Sequence, residues 1–231
     1  MSDPTAQERF PAQRHLLAEE FQNFLDFRTG SRQSLGTTKR SEFKGQLKGV
    51  YGDAPQGVLF DMATGKYLPT VVASHIFQHR WAKFLQVFTG LNDVNDVRNG
   101  LFLYRPVEVA FDEAQISIRA KNGQIRFWLL DETIRDKKLV DVAQTIRRTA
   151  NIDPTLRGEE VSLMTTFGDL DGQELHFPPN STVWPSKRLL AVYAYAAWIE
   201  AKKLGYTSSG PPDVSVSDDT SVRALLSDVS R

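Results

Sequence analysis

The sequence predicts an α+β fold. Three observations carry that reading: helical spacing near the start, an Asn-Gly turn between two strand-like runs, and a long apolar helix near the end. In the stretch 7–27, Leu17, Phe21, Phe24 and Leu25 recur at helical spacing, and Gly30 marks the end. The runs 115–120 and 124–130 flank Lys121-Asn122-Gly123. Asn-Gly between such runs is a hairpin signal, because its two residues accept the positive φ of a tight turn. Ser186 opens a helix that runs to Leu204 and stops at Gly205. From Leu189 to Ile199 that helix is apolar almost all round, which places it in the interior.

The remaining elements follow in order. The runs 57–60 and 68–73 look like strands separated by Thr64 and Gly65. Residues 81–88 read as a short apolar helix or packed loop, and 91–98 as polar and turn-rich. After the short apolar run 101–104, Pro106 suits the first turn of a helix, where its missing N–H is not needed. Val107 and Phe111 would then face the core, with Glu108 and Asp112 together on another face. A helix is expected over 137–149. The run 165–177, with Gly168-Asp169-Leu170-Asp171-Gly172 at its centre, reads as strand, turn, strand. From Thr207 onward, Ser, Asp, Pro and Val dominate, the composition of a mobile tail.

Composition excludes several functions. The 231 residues are 41% hydrophobic and 24% charged, enough for a sizeable core. A net charge of zero disfavours a globally basic DNA coater but not a local basic patch. With no cysteine, disulfide scaffolds, zinc knuckles and thiol nucleophiles are ruled out. No signal-peptide h-region is seen near the start, and no run reaches the ~18 apolar residues of a membrane span. The expected location is intracellular by default, with the nucleus open.

Chemistry concentrates between Val72 and Asp112. His75 closes an apolar strand, Asn99-Gly100 opens another apolar segment, and Glu108 and Asp112 follow Pro106. That order could bring a general base, an orienting amide and two metal ligands into one small site. Each group also has an ordinary reading: a structural histidine, a turn, and acids near a helix N-terminus. His79 is a second metal ligand or a packed residue beside Phe77 and Trp81; His15 and His176 read as structural or surface groups. Asp169 and Asp171 suit a plain turn better than a Ca²⁺ loop, because the further ligands of an EF-hand are missing. No Walker loop, Gly-x-Ser-x-Gly elbow or HExxH helix is found. The densest basic stretch is Arg28, Arg32, Lys39, Arg40, Lys44 and Lys48, opposed only by Glu42. It is either a solvated face or a phosphate-contacting one.

Ser74-His75-Ile76 after a strand, the segment Asn99-Gly100-Leu101-Phe102-Leu103, and the spacing to Glu108 and Asp112 resemble the HNH endonuclease family. The later Phe177-Pro178 and Trp184-Pro185-Ser186-Lys187-Arg188-Leu189-Leu190 look like the branch common in fungal and other microbial eukaryotic proteins. The resemblance implies a ββα-metal core with an N-terminal helix, an added β-hairpin and a buried C-terminal helix. It implies an N-terminal helical, basic segment over 1–56, an HNH-nuclease-like domain over 57–206, and the tail over 207–231. It also implies phosphodiester hydrolysis with His75 as general base, Asn99 holding the His75 loop and orienting the imidazole, and Glu108, Asp112 and, weakly, Ser74 on a metal. Arg80, Lys83, Arg98 and Arg105 would join the N-terminal basic residues on the nucleic-acid backbone. Ser74 stands where many members carry Asp or His, and Glu108 replaces the final histidine. Such a donor set favours Mg²⁺ or Mn²⁺ over Zn²⁺. The expected partner is nucleic acid, DNA favoured over RNA, with no membrane; a protein partner is left unspecified. The alternatives are a catalytically degenerate nucleic-acid-binding module and a protein-interaction module on the same scaffold.

Overall fold

In a computed structural model, residues 37–51, 58–121, 123–150, 164–179, 181–207 and 209–212 are described. The helix expected over 7–27 and nearly all of the tail from Thr207 lie outside them. The described chain mixes helices with three two-stranded antiparallel sheets, an α+β arrangement.

Helix α1, Thr37–Tyr51, comes first. Phe43, Leu47 and Tyr51 recur at every fourth position and are buried, so α1 has one apolar stripe. Strands β1, Leu59–Asp61, and β2, Lys66–Leu68, pair with Leu59 opposite Leu68. Their turn is built by Asp61. Its carboxylate accepts from Ala63 N at 3.3 Å, Thr64 N at 2.9 Å and Thr64 Oγ1 at 2.7 Å, and Gly65 supplies the left-handed residue. Asp61 is fully buried and also accepts from Tyr104 N at 2.7 Å. Burial pushes its carboxyl up from the ordinary value, and these donors oppose the rise.

Strand β3, Val71–His75, pairs antiparallel with β4, Gly100–Tyr104, running from Val71 opposite Tyr104 to His75 opposite Gly100. Between them lie a 3-10 helix, His79–Phe84, helix α2, Leu85–Thr89, and a 3-10 turn, Val97–Asn99. Helix α3, Arg105–Asp112, follows β4 directly, with Pro106 in its first turn. Val107 and Phe111 are fully buried, while Glu108 and Asp112 keep partial exposure.

Strands β5, Ile116–Lys121, and β6, Gln124–Leu129, pair with Lys121 opposite Gln124, and Gly123 has a φ of 80°. Helix α4, Leu139–Ala150, packs against α3. The strand expected near 165 is instead a short helix, α5, Phe167–Leu170. Thr166 and Asp169 form a reciprocal capping box there, which satisfies the first-turn donors and tips the backbone to helix. Asp171 accepts from Leu129 N at 3.0 Å and pairs with Arg135 at 3.2 Å. Both aspartates thus have structural work.

Helix α6, Lys187–Lys203, runs against β5. Ser186 caps its start. It ends in a Schellman motif, with Tyr206 N donating to Ala201 O at 2.8 Å and Gly205 N to Lys202 O at 3.1 Å. Tyr193 stacks on Phe111 with centroids 4.0 Å apart, and its hydroxyl donates to the Phe111 carbonyl. Helices α3 and α6 are thereby locked together at the centre of the core.

One glycine is required by close approach. A Cβ on Gly100 would stand 2.4 Å from Leu47 Cδ2 and 2.8 Å from Phe43 Cζ. Gly100→Ala should therefore lower stability by about 1–3 kcal/mol, as overpacking does. Gly45→Ala, on the same α1 but with nothing within 4 Å, should raise it by about 0.5–1 kcal/mol. Urea unfolding midpoints of the two variants should move in opposite directions.

Candidate active site

His75 ends β3 half-buried, and the Phe43 ring of α1 lies under it. Their centroids are 3.8 Å apart at an interplanar angle of 10°. His75 Nε2 sits 3.1 Å from Asn95 Oδ1. Burial pushes the imidazole down from its ordinary 6.5 to about 4, opposed by the Asn95 bond; His79 adds a further lowering and Asp93 a raising field. The ring is therefore neutral at neutral pH and carries one N–H. An amide oxygen facing Nε2 favours the tautomer with the proton on Nε2 and the lone pair on Nδ1. Asn95 is itself held in an Asx turn, its N–H donating to Asp93 Oδ1 at 2.9 Å.

Asn99 is fully buried and joins three backbone groups. Its Oδ1 accepts from Phe77 N at 2.7 Å, and its Nδ2 donates to Phe77 O at 3.0 Å and Val94 O at 2.7 Å. It ties the chain just after His75 to the turn that carries Asn95. The side-chain hydrogen bond to the imidazole comes from Asn95, while both Nδ2 N–H groups of Asn99 go to backbone carbonyls.

Ser74 lies on the side of the ribbon opposite His75. Side chains alternate along a strand, and His75 with its partner Gly100 faces α1, so Ser74 points to the other side of the ribbon. It is also only 5% exposed. Glu108 and Asp112 stand one turn apart on α3. Glu108 Oε2 pairs with Arg105 Nη1 at 2.8 Å, and Asp112 Oδ1 accepts from Gln78 Nε2 at 3.3 Å. Gln78 lies three residues after His75, so Asp112 reaches the loop that follows the imidazole. Among the described residues no three His, Asp or Glu side chains converge on a metal position. Two carboxylates do not make the closed ligand set of a zinc site. They are oxygen donors of the kind that hard divalent cations take, with water completing the shell. A cation at Glu108 would compete with Arg105.

The basic residues divide sharply. Arg28 and Arg32 lie outside the described residues, as do the side chains of Lys39, Arg40, Arg80 and Lys83. Lys44 is exposed and Lys48 half-buried on α1. Arg98 and Arg105, expected on a nucleic-acid backbone, are paired with carboxylates of their own. Arg98 grips Asp96 through Nε at 2.9 Å and Nη2 at 2.7 Å, which raises its own pKa and lowers that of Asp96. A phosphate at Arg98 would have to compete with Asp96 for an exposed ion pair, a modest cost.

Residues 61–119 match the HNH endonuclease family. The chain is similar to that family over 59 of its 231 residues. No curated protein and no solved structure matches the chain. The HNH segment begins at Asp61, the buried carboxylate that joins the β1–β2 turn to β4, and ends in β5. It contains His75, Asn95, Asn99, Glu108 and Asp112, and it links the chain to nuclease-type work on nucleic acid. No described helix is long and apolar enough to cross a membrane.

Proposed function

We propose that the protein is a metal-dependent endonuclease that hydrolyses phosphodiester bonds with little sequence specificity, DNA being favoured over RNA. The observation that carries this reading is the half-buried imidazole of His75, fixed between Phe43 and Asn95 within the residues that match the HNH family. In this reading β3, β4 and α3 form the ββα-metal unit. His75 Nδ1 takes a proton from a water attacking the phosphorus, while Asn95 holds Nε2–H. Asn99 keeps the His75 loop and the Asn95 turn in register. Glu108 and Asp112 would hold a Mg²⁺ or Mn²⁺ ion, which supplies charge stabilisation at the scissile phosphate and the departing oxygen.

The test is cleavage of supercoiled plasmid and of single strands with Mg²⁺, Mn²⁺ or EDTA. Wild type should cut with either metal and stop in EDTA. Glu108→Ala and Asp112→Ala should each raise the metal concentration needed for half-maximal rate by 10-fold or more, on the order of lost ligand contacts. The orientation of Ser74 and the absence of a three-ligand cluster among the described residues favour a second reading, a nucleic-acid-binding module without catalysis. Nucleic-acid binding that EDTA leaves unchanged, without cutting under any of these ions, would select it.

A further inference from the structure

Of the chain's four tryptophans, three are interior: Trp81 is 3% exposed, Trp128 6% and Trp198 6%. Trp184 is 57% exposed. Leaving so large an apolar ring in water forgoes a substantial burial gain, and such rings mark contact surfaces. The indole is not loose. It rests on Phe177 with centroids 4.3 Å apart, and Phe177 in turn lies 6.4 Å from Tyr51 of α1. Pro185 restricts the backbone of Trp184 to extended conformations.

The strap that carries Trp184 is tied to the two elements that build the His75 site. Thr182 N donates to Val50 O of α1 at 3.4 Å, and Ser186 N donates to Arg98 O, next to Asn99, at 2.9 Å. Along α1, Phe43 under the imidazole and Val50 under the strap are seven residues apart, about 10 Å of helix. Charge agrees with an anionic partner: exposed Lys187 follows the strap, and Lys44 and Lys48 lie on α1.

We propose that Trp184 is a stacking platform for an unpaired base of the strand held at His75. The proposal rests on the nuclease reading and deepens it by naming single-stranded or locally opened nucleic acid as the substrate class. A π-face accepts any base, so the platform adds affinity without sequence readout, worth roughly 5- to 150-fold per base.

The full chain, in EDTA so that no cutting intervenes, is titrated with an oligothymidylate of about 12 nucleotides. Binding is followed by anisotropy of a labelled strand, and in parallel by tryptophan emission with the unlabelled one. The long-wavelength emission should be open to acrylamide in the free protein and should fall as the strand binds. Trp184→Ala should weaken binding 5- to 150-fold, and Trp184→Phe should keep most of it. Trp184→Phe should unfold near the wild-type urea midpoint, and Trp184→Ala somewhat below it, since it loses the packing on Phe177, while both remain fully folded without urea. Binding with unchanged emission, or unchanged affinity in Trp184→Ala, overturns the platform and leaves the nuclease reading standing. Emission shielded from acrylamide in the free protein also overturns it, because the ring is then covered by the chain itself. Absence of binding to both oligothymidylate and plasmid overturns platform and nuclease reading together.

Discussion

Replacing His75 with alanine is expected to lower the cleavage rate by about 10²–10⁴-fold while leaving the fold intact, the loss typical of a positioned general base. The pH profile makes the assignment specific. Burial holds the imidazole at about 4 rather than 6.5, so its lone pair persists from neutral pH down to about that value. The acid limb of kcat/KM should therefore have its midpoint near 4. The Asn95 bond opposes the effect of burial. Asn95→Ala should move the limb to more acid pH and lower the rate, because the ring loses its fixed tautomer. A limb near 6.5, unchanged in Asn95→Ala, would show that the buried imidazole is not the base. Stability carries the same signature with its sign fixed. Between 6.5 and 4 the unfolded chain takes up a proton that folded His75 refuses, so stability falls as pH falls through that window. The fall is on the order of 3 kcal/mol, and His75→Gln should flatten it in urea titrations at successive pH values.

Asn99→Ala should act through the fold instead. Its three hydrogen bonds, at 2.7, 3.0 and 2.7 Å, are made in the interior to backbone groups on two separate turns. Losing them together should cost about 3–5 kcal/mol, since each deprives a buried group of its partner. Asn99→Asp keeps the acceptor for Phe77 N but removes both donations and brings a charge inside. It should be destabilised comparably at neutral pH. Unfolding midpoints separate the two residues: His75→Ala near wild type, Asn99→Ala well below it. A loss under 1 kcal/mol in Asn99→Ala would mean that the two turns hold their register by other means.

The sequence made the local elements visible wherever one residue type has one strong use. Pro106 starts α3, and Ser186 and Gly205 bracket α6, because a missing N–H, a capping hydroxyl and a left-handed residue each act at a defined helix position. The capping box at Thr166 and Asp169 was equally local, but it lies in a Gly-Asp-rich run that also fits a turn between strands. Helix α1 was legible and was obscured by its charges. Phe43, Leu47, Val50 and Tyr51 keep helical spacing within a stretch whose lysines and arginines dominate the eye. His75, Asn99, Glu108 and Asp112 could be singled out because their residue types carry chemistry. The contacts among them could not, since the Phe43 ring and the Asn95 amide reach His75 from 32 residues before it and 20 after it. The one trace of Asn95 was Asp93-Val94-Asn95, an Asx-turn pattern in a polar loop.

Helix α1 also bears on how the protein can be cut into pieces. The HNH match begins at residue 61, and α1 ends at Tyr51. A recombinant fragment trimmed to the match would keep His75, Asn95 and Asn99 in its primary structure. It would lack Phe43, the floor on which the imidazole lies, and Leu47, the neighbour that fills the space beside Gly100. The exposed underside of β3 and β4 would then invite self-association, and a silent fragment in an assay would report only its own truncation. The smallest expression boundary that preserves the His75 environment lies at or before Thr37.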